Sequence, residues 1–147
     1  MMASDGLRYE VADAVAWIIL DKPESMNAFD AALAAELGAA LDRVAADGQV
    51  RALVITGAGR AFCAGGDVAG FHANIDRAAD YAAEIIGNLH RAIATIHGLE
   101  IPVIAGVNGV AAGAGMGLVL IADLAIAAES TVFVMGYTGI GASPDGS

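Results

Sequence analysis

The chain has 147 residues, 57% of them hydrophobic, and a formal net charge of −10 at pH 7. Seven lysines and arginines against seventeen acids argue against a general nucleic-acid binder, which needs cations to meet phosphates. A single cysteine excludes an intrachain disulfide and a cysteine-based zinc site, and the length suits one domain with its own core.

In chain order, residues 7–10 and 14–21 read as a hairpin turning at Val11-Ala12-Asp13. Val15, Trp17 and Ile19 alternate with Ala16, Ile18 and Leu20, so the second strand is apolar on both faces and is expected to be covered on both. Residues 21–27 break the pattern as a loop. Asp30 is placed to cap a helix running to about residue 47, with Leu33, Leu37, Leu41 and Val44 at helical spacing. Residues 50–56 form a strand that enters a first glycine-rich loop reaching Asp67. Cys63, between Phe62 and Ala64, reads as a packed thiol rather than a nucleophile.

A second amphipathic helix is expected over residues 76–97, with Ile85, Leu89, Ile93 and Ile96 on one stripe and Gly98 as its stop. Residues 101–107 make a strand into a second glycine-rich loop, residues 115–122 a short buried helix, and residues 124–127 and 131–134 two short strands. The apolar stretch 103–128 reaches the length of a membrane span, but Asn108, its glycines and Asp123 interrupt it, so strand, turn and helix explain it better. Strand, glycine turn and helix recur at a spacing of roughly fifty residues, which implies a repeating superhelical unit. The N-terminus carries Asp5 and Arg8 ahead of any apolar run, unlike a signal peptide, so a cytoplasmic location is expected. Residues 139–147 look like a turn entering another helix, and the chain is expected to be truncated at its C-terminus.

The two glycine loops are the candidate chemistry. Small residues let a ligand approach the backbone, and unpaired N–H groups at a helix start attract negative charge. Two such turns facing one another make a two-donor oxyanion hole, suited to reactions that place charge on a carbonyl oxygen. Tight turns and close helix packing are the other reading of the same glycines.

Three segments bear a resemblance as they stand: Asp21-Lys22-Pro23-Glu24-Ser25-Met26-Asn27-Ala28, residues 50–67 ending in Ala61-Phe62-Cys63-Ala64-Gly65-Gly66-Asp67, and residues 101–109 ending in Val107-Asn108-Gly109. With Asp123 and the Pro144-Asp145-Gly146 turn, the chain resembles the crotonase, or enoyl-CoA hydratase/isomerase, superfamily from about residue 7 to its last residue. The resemblance implies an α/β fold, a spiral of ββα turns forming a single domain over residues 1–147, without the family's C-terminal helical part. It implies an acyl-CoA thioester as substrate with no separate cofactor, a role in fatty acid metabolism, and a homotrimer or dimer of trimers, with neither nucleic acid nor membrane as partner.

Carried over by position, the resemblance makes the N–H groups of Ala64 and Ala114 the oxyanion donors. Met26 and Ala28, with Ala64, Gly65, Gly66, Asp67 and Val68, would line the coenzyme pocket. Lys22 is the first candidate cation for the coenzyme phosphates and Arg60 the second, a solvated surface role for Lys22 being equally open. Asp67 could instead cap the following helix. Hydratases of this family use two glutamates, and their positions fall on Gly117 and Tyr137. Glycine carries no titratable group, and a tyrosine with a pKa of about 10 is a poor base at neutral pH; Tyr137 is kept as a substrate-binding candidate.

One carboxylate remains, Asp145, either an acid/base or an aspartate bonding locally in its turn. A single base moving a proton between the α- and γ-carbons suffices for double-bond isomerisation of an enoyl-CoA, which is therefore the expected reaction. An atypical hydratase and a non-catalytic acyl-CoA-binding subunit are the alternatives. His72, His90 and His97 lack ligand spacing, so no metal is expected. Glu84 is the other carboxylate with conceivable access to the pocket. The glycines of 113–118 are misplaced for a dinucleotide fingerprint.

Overall fold

The computed structural model describes residues 2–3, 6–141 and 143–144, so Asp145 lies outside the described residues. Strand β1 (Met2–Ala3) pairs with β2 (Leu7–Ala12), which pairs antiparallel with β3 (Val15–Leu20). The hairpin turns on Asp13 and Ala14, whose φ angles of 50° and 62° are the signature of a two-residue type I′ turn. The first hairpin strand therefore runs two residues further than the sequence pattern indicates.

Helix α1 (Ala31–Ala46) starts where expected: the Asp30 carboxylate accepts the Leu33 N–H at 2.8 Å, and Leu33, Leu37, Leu41 and Val44 are buried. Strands β4 (Ala52–Gly57) and β5 (Ala61–Cys63) follow, then a short α2 (Val68–Ala73), a single 3-10 turn, and α3 (Ala78–His97). The last part comprises β6 (Val103–Val107), β7 (Val110–Ala112), α4 (Ala114–Ile121), β8 (Leu124–Ala127), β9 (Phe133–Val134) and a final 3-10 turn, Tyr137–Ile140.

These strands form two sheets. One has the order β1-β2-β3-β4-β6-β8, parallel from β3 onward, and the other is β5-β7-β9, all parallel. Each circuit of the chain lays one strand in each sheet, β4 with β5, β6 with β7 and β8 with β9, and the first two circuits return through helices. The repeat expected from the glycine loops is thus a spiral, with the α/β architecture anticipated. The core lies between the six-stranded sheet and the packed pair α1 and α3.

Three details depart from the sequence pattern. Ala16, Ile18 and Leu20 of β3 are fully buried, but Trp17 on the other face is 36% exposed, so only one face of that strand is closely covered. On α3 the buried stripe is Ile85, Leu89, Ala92 and Ile96, with Ile93 only partly buried, so Ala92 takes the place in the stripe that the pattern gave to Ile93. Strand β8 is an apolar edge strand, with Leu124 and Ile126 60% and 69% exposed. No helix among the described residues is long and apolar enough to cross a membrane.

Candidate active site

The first glycine loop is held by side chains that belong to neither loop strand. Asn27 is completely buried, with a left-handed φ of 58° that asparagine tolerates. Its amide nitrogen donates to the carbonyls of Ala58 at 3.0 Å, Ala61 at 2.9 Å and Phe62 at 3.2 Å, while its oxygen accepts the Lys22 N–H at 2.8 Å. Asn108 does similar work from the second loop, donating to Gly59 and Ala61 carbonyls at 3.0 and 3.2 Å and accepting the Gly57 N–H at 3.1 Å. Between them the two asparagines satisfy backbone groups that a three-residue strand such as β5 leaves unpaired.

Downstream of β5 each N–H can be accounted for. Ala64 donates to the Met26 carbonyl at 3.0 Å, and Asp67 donates to Phe29 at 2.9 Å. Gly65 N–H faces the Cys63 sulfur at 3.4 Å, and the Gly65 carbonyl accepts the Phe29 N–H at 2.7 Å. Within residues 64–67 only the Gly66 N–H has no acceptor among the described residues. The assignment of the first oxyanion donor to Ala64 is corrected accordingly: its N–H is already spent on Met26, and Gly66 carries the available one.

In the second loop, Gly113 has φ 50° and ψ −120°, a backbone conformation reserved for glycine, and donates to the Val134 carbonyl at 3.0 Å. Helix α4 starts on the next residue. The first N–H groups of a helix lack intrahelical partners, and Ala114 has no acceptor among the described residues. The two loops touch: a Cβ on Gly65 would lie 3.0 Å from the Ala112 carbonyl oxygen and 3.5 Å from the Gly113 Cα. A Cβ on Gly115 would sit 2.3 Å from the Cys63 carbonyl oxygen, so only glycine lets α4 pack this close to β5.

A cavity of about 480 Å³ opens where the loops meet. One end is backbone from Ala64, Gly65, Gly66, Ala112, Gly113 and Ala114; the wall is Val68, Phe71, Ala82, Ile85, Ile86 and Leu89; Gly136 and Tyr137 complete it. Its size and apolar lining are those of an organic-ligand pocket. The Tyr137 ring carbon bearing the hydroxyl is 4.0 Å from the position a Cβ on Gly113 would take. Six sequence-predicted residues (Ala64, Gly65, Gly66, Val68, Ala114 and Tyr137) come together in its lining.

Lys22, Met26, Ala28 and Asp67 do not line it. The Lys22 ammonium is held by the Asp30 carboxylate, and this hydrogen bond raises the lysine pKa against a smaller opposing effect of burial. Burial works to raise the Asp30 pKa, but the Leu33 N–H and Lys22 outweigh it and leave the carboxyl lowered. Lys22 thus braces the helix cap, whereas Arg60 is exposed and has no ion-pair partner among the described residues. Asp67 stands at the N-cap of α2 but makes no capping bond, so the capping role is corrected too. Its carboxylate instead lies beside Gly70 with the Tyr81 hydroxyl, and burial, together with Asp67, raises the Tyr81 pKa.

Glu84 turns to Arg77 at 3.7 Å, and Asp123 accepts the Val103 N–H at 2.8 Å, a structural bond at the start of β6. Gly117 is buried within α4 and does not reach the cavity lining. Cys63 is fully buried, which pushes its thiol up to about 12. Among the described residues no three metal-ligating side chains cluster. Sequence reasoning missed Asn27 and Asn108 as supports; Asn108 had the signal of an amide between Gly106 and Gly109, whereas Asn27, in a loop without glycine, had none beyond being a polar residue between Met26 and Ala28.

Comparison with known proteins bears on this arrangement. The family described as Enoyl-CoA hydratase/isomerase matches residues 10–147. A probable enoyl-CoA hydratase of Rhodobacter capsulatus is 44% identical over 98% of this chain and 54% of its own length. A 1,2-epoxyphenylacetyl-CoA isomerase of Escherichia coli is 39% identical over 92% of this chain and 52% of its own. An enoyl-CoA hydratase structure from Polaromonas sp. JS666 superposes with a TM-score of 0.89 at 38% identity, covering 95% of this chain and 55% of that one. The chain spans about half the length of the curated relatives it matches.

Proposed function

The chain thus belongs to the enoyl-CoA hydratase/isomerase family of the crotonase superfamily, and we propose that it holds an acyl-CoA thioester oxygen between the Gly66 and Ala114 N–H groups and shifts a double bond along the acyl chain. What carries this reading is the pair of N–H groups without acceptors at the backbone end of an apolar cavity. Loss of a proton from C2 of a 3-enoyl thioester moves charge onto the carbonyl oxygen. Two fixed donors stabilise that charge, each worth about 3–4 kcal/mol in comparable sites. Return of the proton at C4 completes the shift of the double bond from C3–C4 to C2–C3, with no water consumed.

Asp145, outside the described residues, is the proposed proton carrier. The isomerase name of the Escherichia coli relative supports isomerisation as the reaction class, as does the presence of Gly117 and Tyr137 where the resemblance puts the hydratase acids. The hydratase name of the Rhodobacter relative supports hydration as the second reading. The coenzyme A thioester is the substrate and no further cofactor enters; a trimeric or doubly trimeric assembly and a cytoplasmic location, in fatty acid metabolism, belong to the same proposal.

The purified protein, supplied with a 3-enoyl-CoA, is expected to yield the 2-enoyl-CoA without incorporating solvent oxygen, and Asp145→Ala is expected to lose that turnover. Unchanged turnover in Asp145→Ala would remove the aspartate from the reaction. Solvent oxygen in a 3-hydroxyacyl product would establish hydration instead, and tight binding of acyl-CoA without any product would identify a binding subunit.

A further inference from the structure

Helix α2 is the least anchored part of the cavity wall. None of its six residues is buried, and Asp67 at its N-cap makes no capping bond. A helix this short is not stable by itself, so its place depends on what it touches. Val68 and Phe71 of this helix nevertheless line the cavity, and the Phe71 ring comes within 3.5 Å of where a Cβ on Gly66 would stand. Phe71 therefore borders the backbone end of the cavity, beside the available Gly66 N–H. Its ring partner is Tyr81 of α3, which does not itself line the cavity. The two rings meet edge to face, with centroids 5.2 Å apart and planes at 85°. The Tyr81 hydroxyl reaches over α2 only because Gly70 has no side chain: a Cβ there would collide with the phenol oxygen and lie 2.6 Å from the Asp67 carboxylate.

Resting on the acyl-CoA reading above, we propose that Tyr81 is a positioning residue for the acyl group: it holds the Phe71 ring in place as a fixed apolar surface for the chain. Tyr81 is suited to this because α3 is a 20-residue helix that sends Ile85, Leu89, Ala92 and Ile96 into the core. The ring contact transfers the rigidity of a core helix to a helix that has no buried residue of its own. A wall that stays in place removes each methylene from water as the chain enters. A wall free to swing outward leaves the methylene partly hydrated. Tyr81 thus governs how steeply affinity rises with acyl length, and it acts through Phe71.

Calorimetric titration of the purified protein with acetyl-, butyryl- and hexanoyl-CoA tests this without requiring turnover. The wild type is expected to gain about fourfold in affinity per added methylene, the value that full burial supplies. Tyr81→Ala is expected to lower that increment to about twofold, and Tyr81→Phe, which keeps the ring, to leave it unchanged. In a Phe71→Ala background, Tyr81→Ala is expected to lower it no further, a dependence that general loosening of the fold would not produce. A wild-type increment surviving in Tyr81→Ala, a drop in Tyr81→Phe as large as in Tyr81→Ala, or an added loss on top of Phe71→Ala overturns the role of Tyr81. Equal affinities of the wild type for the three ligands do the same, and all of these leave coenzyme binding standing. Failure of the wild type to bind any of them overturns the acyl-CoA reading itself. Where Tyr81→Ala does not fold, Gly70→Ala decides by the same measurement, because its Cβ displaces the phenol and is expected to flatten the increment likewise.

Discussion

Replacing Asn27 by alanine is expected to be among the most damaging single changes outside the apolar core. The side chain satisfies four backbone groups: the carbonyls of Ala58, Ala61 and Phe62 and the N–H of Lys22. Ala61 keeps a bond from Asn108, so three groups are orphaned. Stranding a buried polar group costs about 1–3 kcal/mol, and because Ala58 and Lys22 are only partly buried the lower end applies. Alanine at a φ of 58° adds about 1 kcal/mol of backbone strain. The total is about 4 kcal/mol, a large part of the roughly 5–15 kcal/mol by which a domain is stable. Urea unfolding followed by circular dichroism should show the midpoint falling by about 2 M, given a slope of about 2 kcal/mol/M. Asn27→Gly relieves the strain but not the orphaned groups, and should recover only about 1 kcal/mol of the loss. Asn27→Asp keeps the acceptor for Lys22 but turns a carboxylate toward three carbonyls, so it should be no better than alanine. A loss below about 1 kcal/mol in Asn27→Ala, or near-native stability in Asn27→Asp, would refute the account of this residue as the hub of the first loop.

The other expectations follow from the same contacts. Gly115→Ala places a Cβ 2.3 Å from the Cys63 carbonyl oxygen and 2.7 Å from the Cys63 Cβ, so it should push α4 away from β5 and sharply lower acyl-CoA affinity, whereas Gly48→Ala, with nothing within 4 Å, should leave both affinity and stability near native; matching affinities in the two variants would refute the packing argument. Asp30→Ala should cost about 1 kcal/mol for the lost helix cap, with more from Lys22. The lowered Asp30 pKa contributes stability that is present above the unfolded value of about 3.9 and disappears as pH falls through the folded one, and the raised Lys22 pKa contributes stability present below about 10.4 and lost as pH rises through its folded value. The stability gap between wild type and Asp30→Ala should therefore be flat from about pH 5 to 9 and narrow on either side; a gap that keeps widening in acid would contradict the direction of the Asp30 shift. Cys63, fully buried with its thiol near 12, should resist iodoacetamide at pH 8 in the folded protein and react fully in urea; rapid labelling of the native protein would show that the sulfur is reachable.

What could be read from the sequence was the part with local causes. The Asp30 cap and the stripe Leu33, Leu37, Leu41 and Val44 specify α1 through bonds within the helix and a single buried face. The glycine loops mark where strands end because the backbone turns there and nowhere nearby. Strands β5 and β7 carry no such signature, being three residues long and defined by each other's position in a second sheet. The same holds for the break between α2 and α3 at Asn74, whose amide donates to the Gly70 carbonyl at 2.8 Å and whose N–H closes the preceding turn.

The proposed oxyanion donors show the limit most sharply. Positional likeness pointed to Ala64, two residues from the N–H that is available, because which amide is consumed depends on the Met26 carbonyl, brought in by a loop from much earlier in the chain. Such a donor has no side-chain signature: at Gly66, Gly113 and Ala114 the residue type reports how much room the backbone needs and says little about the reaction. On the reading proposed above, two such N–H groups would polarise a thioester oxygen for any of several chemistries. On that reading the choice among them would fall to side chains able to bond or move a proton at the cavity, and Tyr137 is the hydrogen-bonding side chain among the described residues that line it.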